Sequence, residues 1–380
     1  MTTTHLAGLP WAGSLGWLEH PADNREVASS NLASPTPFSF QVRLLVISQW
    51  RESPSRGDYP DCLGRVVPIV SGSNSRPLAE ELAVELGWQH IPLEARRFPD
   101  LEGYVRIPSQ HIEDVRSSTE PVVLVSTTYP DNGIIETLLL LEAISDVREG
   151  KTDSLKGGGP TGLDPVDSGV FLAIPYFGYS RQDKRFQTGE VVSAKAIGKL
   201  LAGRCDGIVF LDIHSESALE DLGVQVAFTS CMPEIANYLQ EVVKPDFILS
   251  PDKGAIERAS HVAEAIGCRF SYLEKTRIDA HTIVHKAKDL DVDGAIVTIV
   301  DDMIATGGTI CRASEALISQ GAAEVHAACA HGLFTGGAIS RLDEYVNGVH
   351  AANSLQNPRA VISGGPALAR GVRSLLDDSS

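Results

Sequence analysis

The sequence predicts an α/β protein made of two tandem parallel sheets, preceded by an N-terminal extension. Three observations carry this. Short, wholly apolar runs recur from Arg65 onward, and helix-length amphipathic segments separate many of them. At 380 residues, the chain also has room for two domains of roughly 100–200 residues plus an appendage. Strands that are apolar on both faces need helices on both sides, and alternation of strand with helix is the pattern of that class.

Taken in order, residues 1–64 form the extension. They hold Trp11, Trp17 and Trp50, three of the four tryptophans, and the alternation of residues 38–42 predicts a strand. The apolar runs at 66–70, 122–125, 170–174, 208–211, 247–249, 295–300 and 325–330 predict buried parallel strands. Segments 77–87, 134–147, 193–202, 256–266 and 310–320 predict helices, their apolar residues recurring with the helical period. Residues 151–169 carry five glycines and two prolines with almost nothing apolar, which predicts a surface insertion within a domain. The boundary falls near 227–233, giving domains over 65–230 and 231–380. Ligands of such sheets sit beyond the carboxyl ends of strands.

Composition narrows the function. With 32 Lys+Arg against 49 Asp+Glu, the formal charge is -17, which argues against nucleic acid as a partner. No run approaches the ~20 apolar residues of a membrane span, and residues 1–20 lack the pattern of a secretory leader. The six cysteines (Cys62, Cys205, Cys231, Cys268, Cys311 and Cys329) are scattered without a C-x-x-C pair, as expected of reduced thiols. A cytoplasmic protein is the expectation. The charge is uneven, though: residues 175–204 carry six cations against two acids. An acidic body with basic loops still focuses phosphate locally.

The strongest chemical signal runs from Val297 to Thr309. A buried strand ends in Asp301-Asp302, and Thr306-Gly307-Gly308-Thr309 then opens a helix. Such a turn offers amides and hydroxyls to a phosphate at a helix N-terminus, while paired carboxylates suit ribose hydroxyls or a divalent cation. This segment resembles the ribose-5-phosphate loop of type I phosphoribosyltransferases and of the phosphoribosyl pyrophosphate (PRPP) synthases.

Further motifs choose between those two groups. Pro175-Tyr176-Phe177-Gly178-Tyr179 leads into Arg181-Gln182-Asp183-Lys184-Arg185, which resembles a signature of the ribose-phosphate pyrophosphokinase family. A cluster of cations at a strand end can clamp a triphosphate. Phe98-Pro99-Asp100-Leu101-Glu102 resembles that family's F-x-D-G-E segment, with Leu101 in place of glycine. Asp212-Ile213-His214, Ser250-Pro251-Asp252, Lys275-Thr276-Arg277 and His331-Gly332 follow in the family's order. Ala305 replaces an acid common in the family.

The resemblance implies an enzyme of type I phosphoribosyltransferase-like architecture that moves the diphosphoryl group of ATP onto ribose 5-phosphate. It implies Lys275 and Arg277 as catalytic cations. Phe98, Asp100, Glu102, Arg181, Gln182 and His214 are implied as ATP ligands, the first three reaching a neighbouring subunit of a homo-oligomer. Asp301, Asp302 and Thr306 to Thr309 are implied on the ribose 5-phosphate, with His214 and Asp252 on Mg2+. The alternatives are a catalytically silent relative of the family and a transferase that consumes PRPP.

Overall fold

A computed structural model describes residues 67–151, 169–277, 283–286 and 290–378; the strand expected at 38–42, Cys62 and most of the 151–169 insertion lie outside these. The first sheet begins with β1 (Ile69–Ser71), helix α1 (Arg76–Leu86) and β2 (His90–Pro92). The hairpin β3 (Glu94–Arg97) and β4 (Gly103–Arg106) and the short helix α2 (Ile112–Arg116) come next. Then follow β5 (Val122–Val125), α3 (Asp131–Arg148), β6 (Val170–Ile174), α4 (Ser193–Ala202), β7 (Gly207–Leu211) and β8 (Gln225–Thr229). The six main strands are all parallel, in the order β2-β1-β5-β6-β7-β8.

The second sheet repeats this plan. After α5 (Met232–Tyr238) come β9 (Phe247–Ser250), α6 (Ile256–Ile266), β10 (Arg269–Tyr272) and a second hairpin of β11 (Glu274–Arg277) and β12 (Ile283–Lys286). Then come β13 (Ile296–Ile304), α7 (Gly308–Ser319), β14 (Glu324–Gly332), α8 (Ala338–Tyr345), β15 (Gly348–Ala352), β16 (Ala360–Ile362) and α9 (Gly365–Asp378). The order is β10-β9-β13-β14-β15-β16, again all parallel. Numbered within its own half, each sheet therefore reads 2-1-3-4-5-6, with an antiparallel hairpin inserted after its second strand.

The core explains why the halves do not separate. One apolar cluster holds Leu78 and Leu82 of α1, Val209 of β7, Ile248 of β9, Val300 of β13 and Leu368 of α9, so it runs through both sheets. Two further clusters cover the outer faces. Helix α9 follows the second sheet in sequence but packs on β7, β8 and α1 of the first. Gly371 allows that approach, since a Cβ there would lie 2.4 Å from Val209 Cγ1. The Thr229 hydroxyl donates to the Ala367 carbonyl at 2.7 Å, and Arg373 donates to the Glu85 carbonyl at 2.9 Å.

The strands expected at 122–125 and 170–174 and the helices expected at 193–202 and 256–266 have the observed bounds. Four strands run longer than their apolar runs, β7 and β9 by one residue each. β13 continues through Asp301 and Asp302 to Ile304, and β14 continues to Gly332. Both hairpins, the edge strands and helices α5, α8 and α9 have no counterpart among the expected elements. The five cysteines within the described residues are unpaired, and burial pushes the thiols of Cys231 and Cys329 well up.

Candidate active site

The crevice outside the strand ends where chain order reverses lies between β1 and β5 in the first sheet and between β9 and β13 in the second. At the first, protein groups beyond the strand ends bond one another. The Ser73 amide and hydroxyl both donate to Glu136 (2.6 and 2.8 Å), Thr127 N donates to Ser75 Oγ (2.9 Å), and Gly178 N donates to Thr128 Oγ1 (2.9 Å). The second is open. It forms a cleft of about 590 Å³ whose wall includes Asp252, Arg258, Asp301, Asp302 and residues 305–309, with Arg181 and His214 arriving from the first half.

Each side chain owes its place to a strand end. Asp252 follows β9 and accepts from the amides of Gly254 (2.8 Å) and Ala255 (3.2 Å), capping the turn that leads into α6. Asp301 and Asp302 are neighbours on β13, and both line the cleft. Asp302 is buried and its Oδ2 lies 2.8 Å from His214 Nδ1, with the Arg258 guanidinium 4.0 Å away. Burial alone would push Asp302 up, but the His214 hydrogen bond and the Arg258 charge bring it down to about 2. The bond to Asp302 in turn holds His214 above the usual histidine range. Burial and the Asp302 charge push Asp301 well up. Of the two carboxylates expected together on a sugar, one is thus paired with His214.

The turn bearing His214 is held from the other half at every residue. His331 Nε2 lies 3.1 Å from the Asp212 carbonyl, and Arg258 donates to the Ile213 carbonyl at 2.7 Å. Asp302 holds the His214 ring. Burial pushes the His331 pKa down, and its Nδ1 lies 2.8 Å from Ser354 Oγ, whose hydroxyl donates to the Ala330 carbonyl at 2.7 Å. Asp212 itself has a left-handed φ of 43°, and its buried carboxylate accepts from Ser230 Oγ (2.5 Å) and Cys231 N (2.8 Å). Those bonds hold a conformation that costs roughly 1–2 kcal/mol.

The phosphate-type turn follows β13. Gly307 has φ 73°, and among the described residues no acceptor is recorded for the amides of Gly307, Gly308 and Thr309. These donors at the start of α7 are the groups a phosphate would take.

The other expected site residues are placed as follows. Arg181 lines the cleft, whereas Gln182 turns back to the Lys184 carbonyl at 3.2 Å and Glu190 at 3.4 Å. Lys275 and Arg277 occupy alternate positions of β11, opposite His285 and Ile283. Their hairpin leaves the sheet beside Asp252, because the Leu273 amide donates to the Ser250 carbonyl at 2.9 Å. Phe98, Asp100 and Glu102 do not line the cleft; they stand at the tip of the β3–β4 hairpin. There the Arg96 guanidinium lies 4.2 Å from the Tyr104 ring centre and 4.8 Å from that of Phe98. Leu101 takes φ 73°, so the turn keeps a glycine-like conformation without the glycine. Arg258 was not legible as a site residue, since Glu257-Arg258 on an amphipathic helix reads as a solvated face.

The donors also bear on a divalent cation. With Nδ1 engaged by Asp302, His214 has Nε2 left for a ligand, an arrangement familiar at metal sites. Asp252 is a carboxylate on the same cleft. Among the described residues no cluster of three or more such groups forms a ready-made metal centre. That donor set fits a cation held chiefly through substrate phosphates and water.

Comparison with known proteins adds the following. Residues 231–349 match the phosphoribosyl transferase domain model. Ribose-phosphate pyrophosphokinases from Thermoplasma acidophilum and Pyrococcus abyssi are 33% and 36% identical, each over 78% of this chain and covering 94% and 95% of theirs. One from Methanothermobacter thermautotrophicus is 36% identical over 79% of this chain and 98% of its own. A crystal structure of phosphoribosylpyrophosphate synthetase from Mycobacterium smegmatis aligns with a TM-score of 0.66 at 25% identity. It covers 83% of this chain and 100% of that one. Among the described residues no helix is long and apolar enough to cross a membrane.

Proposed function

The chain belongs to the ribose-phosphate pyrophosphokinase family, and from that premise we propose that it transfers the β,γ-diphosphoryl group of ATP to the 1-hydroxyl of ribose 5-phosphate, giving PRPP and AMP. The observation that carries the reading is the open crevice where a T-G-G-T turn and Asp301 from one half meet Arg181 and His214 from the other. The division of labour follows the two halves, 65–230 carrying loops for ATP and 231–380 carrying the sugar loop.

In this mechanism the amides of Gly307, Gly308 and Thr309 and the hydroxyls of Thr306 and Thr309 bind the 5-phosphate. Asp301 orients the ribose so that its 1-hydroxyl faces the β-phosphorus. Arg181 binds the ATP phosphates from across the cleft, and Gln182 shapes the loop that carries it. Lys275 and Arg277 neutralise charge on the transferring group and on the departing AMP oxygen. Phosphoryl transfer needs little more than such positioning and charge stabilisation. His214 and Asp252, with substrate oxygens, would hold magnesium, which would supply further neutralisation of phosphate charge.

Phe98, Asp100 and Glu102 serve the adenine of a neighbouring subunit, which makes the enzyme at least a dimer. Their place on a projecting hairpin outside the cleft supports this. The deciding experiment incubates the protein with ATP, magnesium and ribose 5-phosphate and follows AMP and PRPP. Absence of AMP under every metal and phosphate condition would exclude the activity and leave a silent relative. A protein that consumes PRPP instead would release pyrophosphate from it when given a nucleobase.

A further inference from the structure

The T-G-G-T turn must present amides, not carbonyls, to an anion. How it does so is visible on its outer side. The Leu333 and Phe334 amides donate to the Ile304 carbonyl (3.0 and 3.1 Å), and the Thr335 amide donates to the Ala305 carbonyl (3.0 Å). The turn after β14 thus draws successive carbonyls away from the cleft with its own backbone. At Thr306 that backbone has run out, because Gly336 and Gly337 turn left-handed (φ 61° and 72°) into α8. A side chain takes over: Arg341 Nη1 donates to the Thr306 carbonyl at 2.7 Å and Nη2 to the Gly336 carbonyl at 3.1 Å.

The Thr306 carbonyl and the Gly307 N–H belong to one planar peptide unit, so fixing one outward aims the other the opposite way. The unit needs fixing, because the glycine beside it imposes almost no steric barrier to rotating the peptide plane. A reversed plane would put a carbonyl where the phosphate goes. Helix α8 supports the unit twice, since Leu342 also packs against Gly307, where a Cβ would meet Leu342 Cγ at 2.9 Å. A guanidinium on the carbonyl further polarises the shared peptide, which strengthens its N–H as a donor.

We propose that Arg341 is a positioning residue for the sugar-phosphate loop, locking the Thr306–Gly307 peptide so that its N–H faces the 5-phosphate. This rests on the reading of Thr306 to Thr309 as the ribose 5-phosphate loop. Arg341 itself touches no substrate.

The test compares Arg341→Gln, Arg341→Lys and Thr309→Ala with the unaltered full chain, by steady-state kinetics for each substrate and by calorimetric binding of ribose 5-phosphate without ATP. Loss of one charge-assisted bond at an exposed site predicts a rise of about tenfold in KM and Kd for ribose 5-phosphate in Arg341→Gln. KM for ATP and the thermal midpoint stay the same, and Arg341→Lys is intermediate. Ribose 5-phosphate constants unchanged in both arginine variants, while Thr309→Ala raises them, would overturn the lock alone. Constants unchanged in Thr309→Ala as well would overturn the loop assignment and the lock with it. Equal losses for both substrates with a lowered midpoint would reduce Arg341 to a structural prop. Should Arg341→Gln not fold, Arg341→Lys carries the same comparison.

Discussion

Replacing Asp302 by asparagine separates the two neighbouring carboxylates by function. Asparagine keeps the shape and one acceptor oxygen at a buried position, and removes only the charge. The bond at stake is the 2.8 Å contact with His214 Nδ1, between a carboxylate side chain 5% exposed and an imidazole 44% exposed. A hydrogen bond to a charged group contributes about 1.5–3 kcal/mol when shielded. The half-exposed ring lowers that to about 1–2 kcal/mol, which is roughly 5- to 30-fold in a rate or binding constant. The expected result for Asp302→Asn is a loss of that size in kcat/KM for ATP, with KM for ribose 5-phosphate little changed. AMP release, measured with one substrate saturating and the other varied, reads both constants. Asp301→Asn is expected to behave in the opposite way. Introduced into a His214→Ala background, Asp302→Asn should do little more, because the interaction it removes is already gone. Full additivity in that cycle, or a loss confined to ribose 5-phosphate, would refute the assignment of Asp302 to His214.

Lys275→Ala is expected to lower kcat by at least ~10³, the scale of a cationic contact in phosphoryl transfer, with an unchanged circular dichroism spectrum; near-normal turnover would remove Lys275 from the mechanism. Phe98→Ala should weaken ATP binding and spare ribose 5-phosphate, whereas equal losses with a smaller particle in sedimentation would point to assembly instead. Stability should also depend on His90, whose pKa is lowered to about 4 by burial and then by Arg76, and whose Nε2 lies 2.9 Å from Ser71 Oγ. Because the folded value lies below the unfolded one, near 6.5, the contribution is complete above pH 6.5 and fades as pH falls toward 4. Between pH 7.5 and 4.5 this amounts to roughly 2–3 kcal/mol. Urea midpoints should show that His90→Gln loses less stability over the interval than the unaltered chain; identical slopes would contradict a buried neutral His90.

Strands β5 and β6 are legible in the sequence because helices cover both their faces, leaving every residue apolar. β3 is not, since Glu94-Ala95-Arg96-Arg97 is largely exposed and reads as a charged loop. Helix α5 is short and begins with Met232-Pro233, and α9 carries arginines that reach polar groups of the other half, so neither reads as a core helix. At the site, the motif residues were legible because their chemistry lies in their side chains. Arg258, Arg341 and the link made by His331 were not, because they act on backbone carbonyls, which every residue has and no local spacing marks.

Helix α9 also bears on how the molecule is made. Synthesis runs from the N-terminus, so β7 and β8 emerge long before residues 365–378, which cover them. Until then a nascent first sheet exposes Val209, Leu211 and Ala227, apolar positions of the shared core. Domains often fold one after another as they leave the ribosome; here the first half has to wait for the last helix, and the two halves commit to the native state together. A chain stalled before Gly365 is therefore a target for chaperones and proteases rather than a half-finished enzyme.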